Sequence, residues 1–351
     1  MSSVTDPSID PGRFETRFAS PRGFRQAFVL ASGSGRSSNS TSVALVCVHG
    51  WPESKRIFWK VIEPLAMAGF DVIVPDLRGF GESGPAPDGA YDTPTHARDL
   101  YALVHDELGY ESAILLGGDL GGPVIQEMAL RYPDFVDRMV LFNSPLPFDR
   151  ERMAGIEGTR APREAADYFI RQGTDADALA SELRTEAERR RYIATFYSSR
   201  FWSHPGKFSP DDIDFHTEPF ADADVLRASF GGYETVFDPA KRTEAALMGR
   251  NDTTPTLVLF GTSDHVIYPA FDLMAAQVFV HHVGPFLLRD CGHFVPWEAP
   301  HALVSGTVAF CSDLLRSTQS RARSRLDLGD EPEIGSEVRW QKAIDVLKDE
   351  I

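Results

Sequence analysis

The run Leu115-Leu116-Gly117-Gly118-Asp119-Leu120-Gly121-Gly122 constrains the chain more than any other segment. It closes an apolar stretch and opens an amphipathic one, the pattern of a strand that turns sharply into a helix. Glycines on both sides of Asp119 permit a bend too tight for neighbouring Cβ atoms. Such a bend exposes one side chain at the top of a sheet. Here that side chain is a carboxylate. A serine in this position attacks carbonyl carbon. A carboxylate instead displaces a leaving group at saturated carbon and becomes a covalent ester.

The rest of the chain supplies a matching frame. Val43–Val48 is continuously apolar, which suits a strand buried on both faces of a parallel sheet. Edge strands are expected at Gln26–Ala31 and at this Val43–His49 segment, with a Ser/Gly/Asn-rich loop, Ser32–Ser42, between them. Further strands are expected at Asp71–Asp76, Ser112–Leu116, Arg138–Phe142, Thr256–Phe260 and Pro285–Leu288. Helical patterns cover Phe58–Ala68, Pro94–Leu108, Pro123–Arg131 and Phe271–Val278. Alternating β and α segments predict an α/β fold with a mostly parallel, doubly wound sheet. The alternation stops over residues 144–250, rich in Arg, Glu, Asp and aromatics, which reads as a helical lid inserted into a core of residues 1–143 and 251–315. The stretch before about residue 25 reads as polar and frayed. Residues 316–351 form a basic-then-acidic extension ending in an amphipathic Val338–Ile351 helix, a surface element or a homodimer contact.

Composition narrows the partners. A formal net charge of −16 disfavours nucleic acid and anionic membrane surfaces. The three cysteines, Cys47, Cys291 and Cys311, are odd in number and widely spaced, which fits reduced thiols in a cytoplasm rather than disulfides or a metal site. The N-terminus has no apolar signal segment, and no apolar run approaches the roughly 20 residues of a membrane span.

Two more residues complete a chemical set. Asp264 ends Leu259-Phe260-Gly261-Thr262-Ser263-Asp264, and His293 lies in Asp290-Cys291-Gly292-His293-Phe294. Asp264 is the candidate for orienting the imidazole, and His293 for drawing a proton from the water that cleaves an ester on Asp119. Asp252 and Asp290 are poorer candidates for the acid, and His265 for the base. An oxyanion formed during that cleavage needs donors. The loop His49-Gly50-Trp51-Pro52 offers the Trp51 amide, facing the Leu120 amide across Asp119. A cis Trp51–Pro52 bond fits so tight a turn. No cofactor or metal is required.

His-Gly-x-Pro, Gly-x-Asp-x-Gly, a helical lid, then an acid and Gly-His-Phe together resemble the epoxide hydrolase branch of the α/β-hydrolases, over about residues 25–315. Asp76–Ser83 resembles that family's turn after its fourth strand and reads as structural. The resemblance implies a small apolar epoxide and water as substrates and a vicinal diol as product. It also implies two lid tyrosines that donate hydrogen bonds to the ring oxygen. Tyr168 resembles the early one and Tyr233 the late one; Tyr192, Tyr197, His204 and His216 are the alternatives. Haloalkane and haloacetate dehalogenases share the aspartate. Haloalkane dehalogenases place a tryptophan after it, and fluoroacetate dehalogenases place arginines there. Leu120 and Pro123 occupy those positions here, and Leu120 also departs from the tryptophan common in epoxide hydrolases. A non-catalytic ligand-binding receptor on the same fold is the remaining alternative. Phe169, Trp202 and Trp297, with Trp51, are candidates for an apolar pocket, or else for core.

Overall fold

Six consecutive apolar residues, Val43–Val48, form the fully buried strand β3 at the middle of the sheet. The computed structural model describes residues 9–33, 43–156, 167–267 and 269–316. The eight strands are β1 (Thr16–Ala19), β2 (Gln26–Ser32), β3, β4 (Phe70–Pro75), β5 (Ala113–Gly118), β6 (Val136–Phe142), β7 (Thr256–Gly261) and β8 (His282–Leu288). Their order is β1-β2-β4-β3-β5-β6-β7-β8. β1 and β2 run antiparallel; β4, β3 and β5 to β8 pair in parallel.

β3 is therefore not an edge strand. Both of its ladders are used, by β4 and β5, as its lack of any polar residue requires. β2 is not an edge either, because β1 covers it. β1 falls within the segment expected to fray. Its pattern hides it: Arg17 and Phe18 are both exposed, and Arg25 lies 3.3 Å from the Phe18 ring centroid. The outer strand pairs on one side only and needs no apolar face.

Helices α1 (Trp59–Ala68), α2 (Thr93–Tyr101) and α3 (Gly121–Arg131) connect the first parallel strands. α2 continues as a π-helical turn over Ala102–Glu107, so the expected Pro94–Leu108 helix changes its hydrogen-bonding period part-way. Between β6 and β7 lie α4 (Asp167–Thr174), α5 (Ala176–Glu182), α6 (Glu186–Tyr197), α7 (Pro210–Thr217), α8 (Ala223–Ser229) and α9 (Gly231–Phe237). α10 (Phe271–Val278), α11 (Val295–Glu298) and α12 (Pro300–Phe310) follow. Among the described residues no helix is long and apolar enough to cross a membrane. The Val338–Ile351 segment lies outside the described residues.

Buried charge ties together the loops above the sheet. Asp76, after β4, accepts from the Lys55 ammonium at 2.6 Å and the Lys55 amide at 2.8 Å, and from the Glu82 amide at 2.9 Å. Lys55 also reaches Glu82 at 2.5 Å. With both Asp76 oxygens accepting and the ammonium shared between two carboxylates, the pair is tolerated at near-zero exposure and fixes the loop after β3.

Candidate active site

β5 delivers Asp119 and α3 removes the chain from it. Asp119 has φ of +42°, a left-handed conformation that a non-glycine residue adopts only when its surroundings hold it there. Its amide donates to the Asn143 carbonyl at 2.9 Å, and its carbonyl accepts from the Gly122 amide at 3.1 Å. Two glycines make room. A Cβ at Gly121 would lie 2.2 Å from the Val48 carbonyl oxygen, and one at Gly50 would lie 2.4 Å from the Asp119 Cβ. The carboxylate sits at the N-terminal end of α3, where the helix dipole favours negative charge.

The three residues expected to act together lie in one hydrogen-bonded line. Asp119 Oδ2 is 3.2 Å from His293 Nε2, and His293 Nδ1 is 2.8 Å from Asp264 Oδ2. Asp264 Oδ1 accepts from the Val266 and Ile267 amides at 2.6 and 3.2 Å. Burial alone would lower the pKa of His293. The charge of Asp264 and the hydrogen bonds to both carboxylates outweigh it, so the imidazole is held well above its ordinary value.

Asn143, immediately after β6, was not expected from the sequence. Besides accepting the Asp119 amide, it donates from Nδ2 to Asp264 Oδ2 at 2.7 Å and accepts the Gly261 amide at 2.8 Å. One buried side chain thus spans the ends of β6 and β7 and fixes Asp264. Its only sequence signal is position, at the carboxyl end of a parallel strand beside the elbow.

The loop after β3 approaches from the other side. The Trp51 amide donates to Asp119 Oδ1 at 2.7 Å, and the Trp51–Pro52 bond is cis. Leu120 stands at the start of α3 on the same side chain's flank. Glu53 was also unanticipated. It is buried and accepts the Gly50 amide at 2.5 Å. Burial, with the charge of Asp119, pushes its pKa up to about 7, while the Gly50 amide and His293 oppose the rise. Tyr197, on α6, donates to the Pro52 carbonyl at 2.5 Å and so anchors the loop from above.

A cavity of about 460 Å³ opens above Asp119. Its walls include Asp119, Leu120, Tyr168, Phe169 and Tyr233. The two phenol oxygens are 3.4 Å apart, and Tyr168 stacks on Trp51 at 5.1 Å. Burial first, then the charge of Asp119, raises the Tyr168 pKa well above its ordinary value. Burial with both Tyr168 and Asp119 does the same for Tyr233. Both remain protonated donors. Tyr192 is occupied by Gln172 at 2.9 Å, and neither it nor Tyr197 lines the cavity. His204 is 2.9 Å from Ser263 Oγ, and His216 is buried between Tyr197 and Trp297.

Of the four expected pocket residues only Phe169 is a cavity wall; Trp51 is fully buried, stacked on Tyr168. Trp202 stands behind the site, 4.8 Å from the His293 ring and 5.0 Å from that of Tyr168, where it packs both. Trp297 is core: Phe208, Phe215 and His216 surround it, and Lys60 lies 3.9 Å from its ring centroid. A large aromatic beside a catalytic motif looks the same in sequence whether it faces a ligand or its neighbours.

Comparison with known proteins gives consistent matches. A family model described as the alpha/beta hydrolase fold matches residues 43–300. A soluble epoxide hydrolase from a Corynebacterium species is 27% identical over 300 residues, covering 83% of this chain and 95% of that protein. Epoxide hydrolase A of Mycobacterium tuberculosis is 25% identical over 299 residues, covering 77% of this chain and 90% of that protein. The ligand-free structure of the epoxide hydrolase CorEH superposes with a TM-score of 0.71 at 24% identity, covering 86% of this chain and 99% of that one. At that identity the likeness speaks for the fold.

Proposed function

The chain belongs to the alpha/beta hydrolase fold family, and we propose that it is an epoxide hydrolase working through a covalent ester on Asp119. The observation that carries this reading is the convergence on one cavity of a carboxylate and two phenols whose oxygens lie 3.4 Å apart. A carboxylate alone serves several displacements at saturated carbon. A pair of neutral O–H donors serves a leaving group that stays attached and needs a proton, which is the oxygen of an opened epoxide. The curated relatives described as epoxide hydrolases favour the same substrate class.

In the proposed sequence, Tyr168 and Tyr233 hold the epoxide oxygen. Asp119 Oδ2, the oxygen not tied to the Trp51 amide, attacks a ring carbon from the opposite face. A new C–O bond forms, the ring C–O bond breaks, and the released alkoxide takes a proton from a tyrosine. Esterification removes the negative charge of Asp119 and, with it, part of what holds His293 protonated; the imidazolium gives up its proton, which returns through water to the tyrosinate, and the ring is left neutral. The imidazole, still oriented by Asp264, then accepts a proton from water as that water attacks the Asp119 carbonyl carbon. The Trp51 and Leu120 amides receive the oxyanion. The acyl–oxygen bond breaks as the proton on His293 passes to the departing diol oxygen; the Asp119 carboxyl group then gives the water's second proton to the imidazole, which restores the carboxylate and the imidazolium. The helices between β6 and β7 act as the cap that brings both phenols over Asp119.

The dehalogenase reading is less well supported. The cavity wall contains no Lys or Arg among the described residues, so a haloacid carboxylate meets no counter-charge. Leu120, which lines the cavity, gives a halide no side-chain donor. Offering styrene oxide, chloroacetate and 1-bromobutane in parallel tests the assignment. The expected result is diol from the epoxide at a rate exceeding halide release from either competitor by roughly 10²-fold or more, the scale of a positioned proton donor. Halide release without diol would reverse the assignment.

A further inference from the structure

The cavity continues past Asp119, across the carboxyl ends of the strands. Leu77 and Phe80, in the loop after β4, line one end, and Val266 and Ile267, after β7, line the other. β4 and β7 each lie two places from β5, on opposite sides. At about 4.8 Å between neighbouring strands, the two ends stand about 10 Å to either side of Asp119. The mouth is marked by Val236, a wall residue that is 58% exposed. The β4 end is blind: Leu77, Phe80 and His96 are 2%, 4% and 6% exposed. Tyr91 seals it on the outside. Its hydroxyl accepts from the Ala86 amide at 3.1 Å, and its ring leaves no room for a Cβ at Gly79 or Gly231, which would lie 2.9 and 2.4 Å from it.

Between Asp119 and this blind arm the cavity passes between Leu120, at the start of α3, and Gly232, on α9. A Cβ at Gly232 would stand 3.7 Å from Leu120 Cδ1 and 3.8 Å from the Tyr91 carbonyl oxygen. Those are ordinary contacts, so packing does not require glycine there, as it does at Gly231. A helix is less stable with glycine than with alanine. What the missing Cβ leaves is width in the passage.

We propose that Leu120 and Gly232 set substrate preference: the passage between them admits a compact apolar group into the blind arm. The preferred epoxide therefore carries substituents on both ring carbons, a short one held at the Leu77–Phe80 end and a longer one trailing to the mouth. Asp119 lies between the two ends, so the ring stays under the phenols while both substituents are accommodated. The arm is apolar apart from Thr93 and His96, and a terminal epoxide with its one chain at the mouth leaves that surface uncovered. The inference rests on the epoxide reading for turnover, but not for occupancy of the arm.

Two measurements separate those claims. The first keeps a butyl group on one ring carbon and lengthens the other substituent, from 1,2-epoxyhexane through cis-2,3-epoxyheptane and cis-3,4-epoxyoctane to cis-5,6-epoxydecane and cis-5,6-epoxytetradecane. Each carbon that enters the arm should raise kcat/KM by roughly fourfold, chiefly in KM. The gain should reverse once both substituents are long, because only one of them can trail to the mouth. Gly232→Leu should cut the ratio of internal to terminal kcat/KM by roughly tenfold or more, and Gly232→Ala should cut it part-way. The alanine variant meets no clash and should unfold at no lower a temperature than the wild type, so its loss of preference reports on the passage and not on folding. A series in which the terminal epoxide is best, in which two long chains do as well as one, or in which both glycine variants keep the wild-type ratio would overturn the arm. The second measurement needs no turnover. In protein with ¹³C-labelled leucine methyl groups, octan-4-one should shift the Leu77 resonances of the wild type and not those of Gly232→Leu. That result in a protein that opens none of the epoxides would uphold the arm and reject the epoxide assignment. Diol formation with no Leu77 shift, or with a shift that Gly232→Leu leaves unchanged, would reject the arm and leave the assignment standing.

Discussion

His293→Gln should leave the protein folded, able to react with an epoxide once, and unable to let the product go. Glutamine fills a similar volume and can keep a hydrogen bond to Asp264, now 2.8 Å from the imidazole. It cannot take a proton from water. Loss of the base should slow ester hydrolysis by roughly 10³-fold or more, so the alkylated enzyme accumulates in stoichiometric amount. Intact mass should rise by the full mass of the epoxide, and peptide mapping should assign it to Asp119. A bromoalkane would instead add its mass less hydrogen bromide, so the same measurement identifies the substrate class. The wild type carries a related pH signature. In the free enzyme His293 is held well above its ordinary pKa by Asp264 and Asp119 against the effect of burial. Once Asp119 is an ester, one of those carboxylates is neutral and the imidazole pKa falls. Hydrolysis requires the neutral ring, so its rate should rise with pH through the pKa of the ester form and fall below it. More ester should therefore be trapped by acid quenching at low pH. An unmodified Asp119 in the His293→Gln variant would reject covalent catalysis at that residue.

The double variant Tyr168→Phe with Tyr233→Phe should fail at the opposite step. Phenylalanine keeps the ring of Tyr168 stacked on Trp51 and that of Tyr233 edge-on to it. Only the two O–H donors are lost. The oxygens lie 3.4 Å apart, so in either single variant the surviving phenol can reach the epoxide oxygen. Each single change should slow ester formation by roughly 10²-fold, and the pair by roughly 10⁴-fold or more, while hydrolysis of preformed ester is unchanged. Both phenols sit well above the ordinary tyrosine pKa, so wild-type alkylation should not fall as pH rises towards 10 through their ionisation. Pre-steady-state quenching separates the two rates. Equal slowing of both steps would mean that the tyrosines shape the cavity rather than donate protons.

The parallel sheet was legible because a strand buried on both faces can hold almost nothing polar. β3 and β5 each announce themselves as an apolar run, the first followed by His49-Gly50 and the second closing on Gly117-Gly118. The same feature misled on position, since the run at Val43–Val48 belongs to the centre and not the edge. β1 was invisible because an outer strand with Arg17 and Phe18 in solvent has no apolar face to read. Asp119, Asp264 and His293 were legible because each follows a strand in a pattern whose chemistry needs a carboxylate, a carboxylate and an imidazole. Asn143 and Glu53 were not, because they act through carboxylates and amides that only the fold brings near. Trp297, which the sequence left open between pocket wall and core, lies on α11 and packs in the core beside Phe215.

The most direct test is a single turnover in H₂¹⁸O with enzyme in excess over styrene oxide. If water attacks the acyl carbon of the Asp119 ester, the diol should leave with an unlabelled Asp119 oxygen, and the peptide containing Asp119 should gain 2 Da. Label in the first-turnover diol, with an unlabelled Asp119 peptide, would mean that water opened the ring directly and that no ester formed.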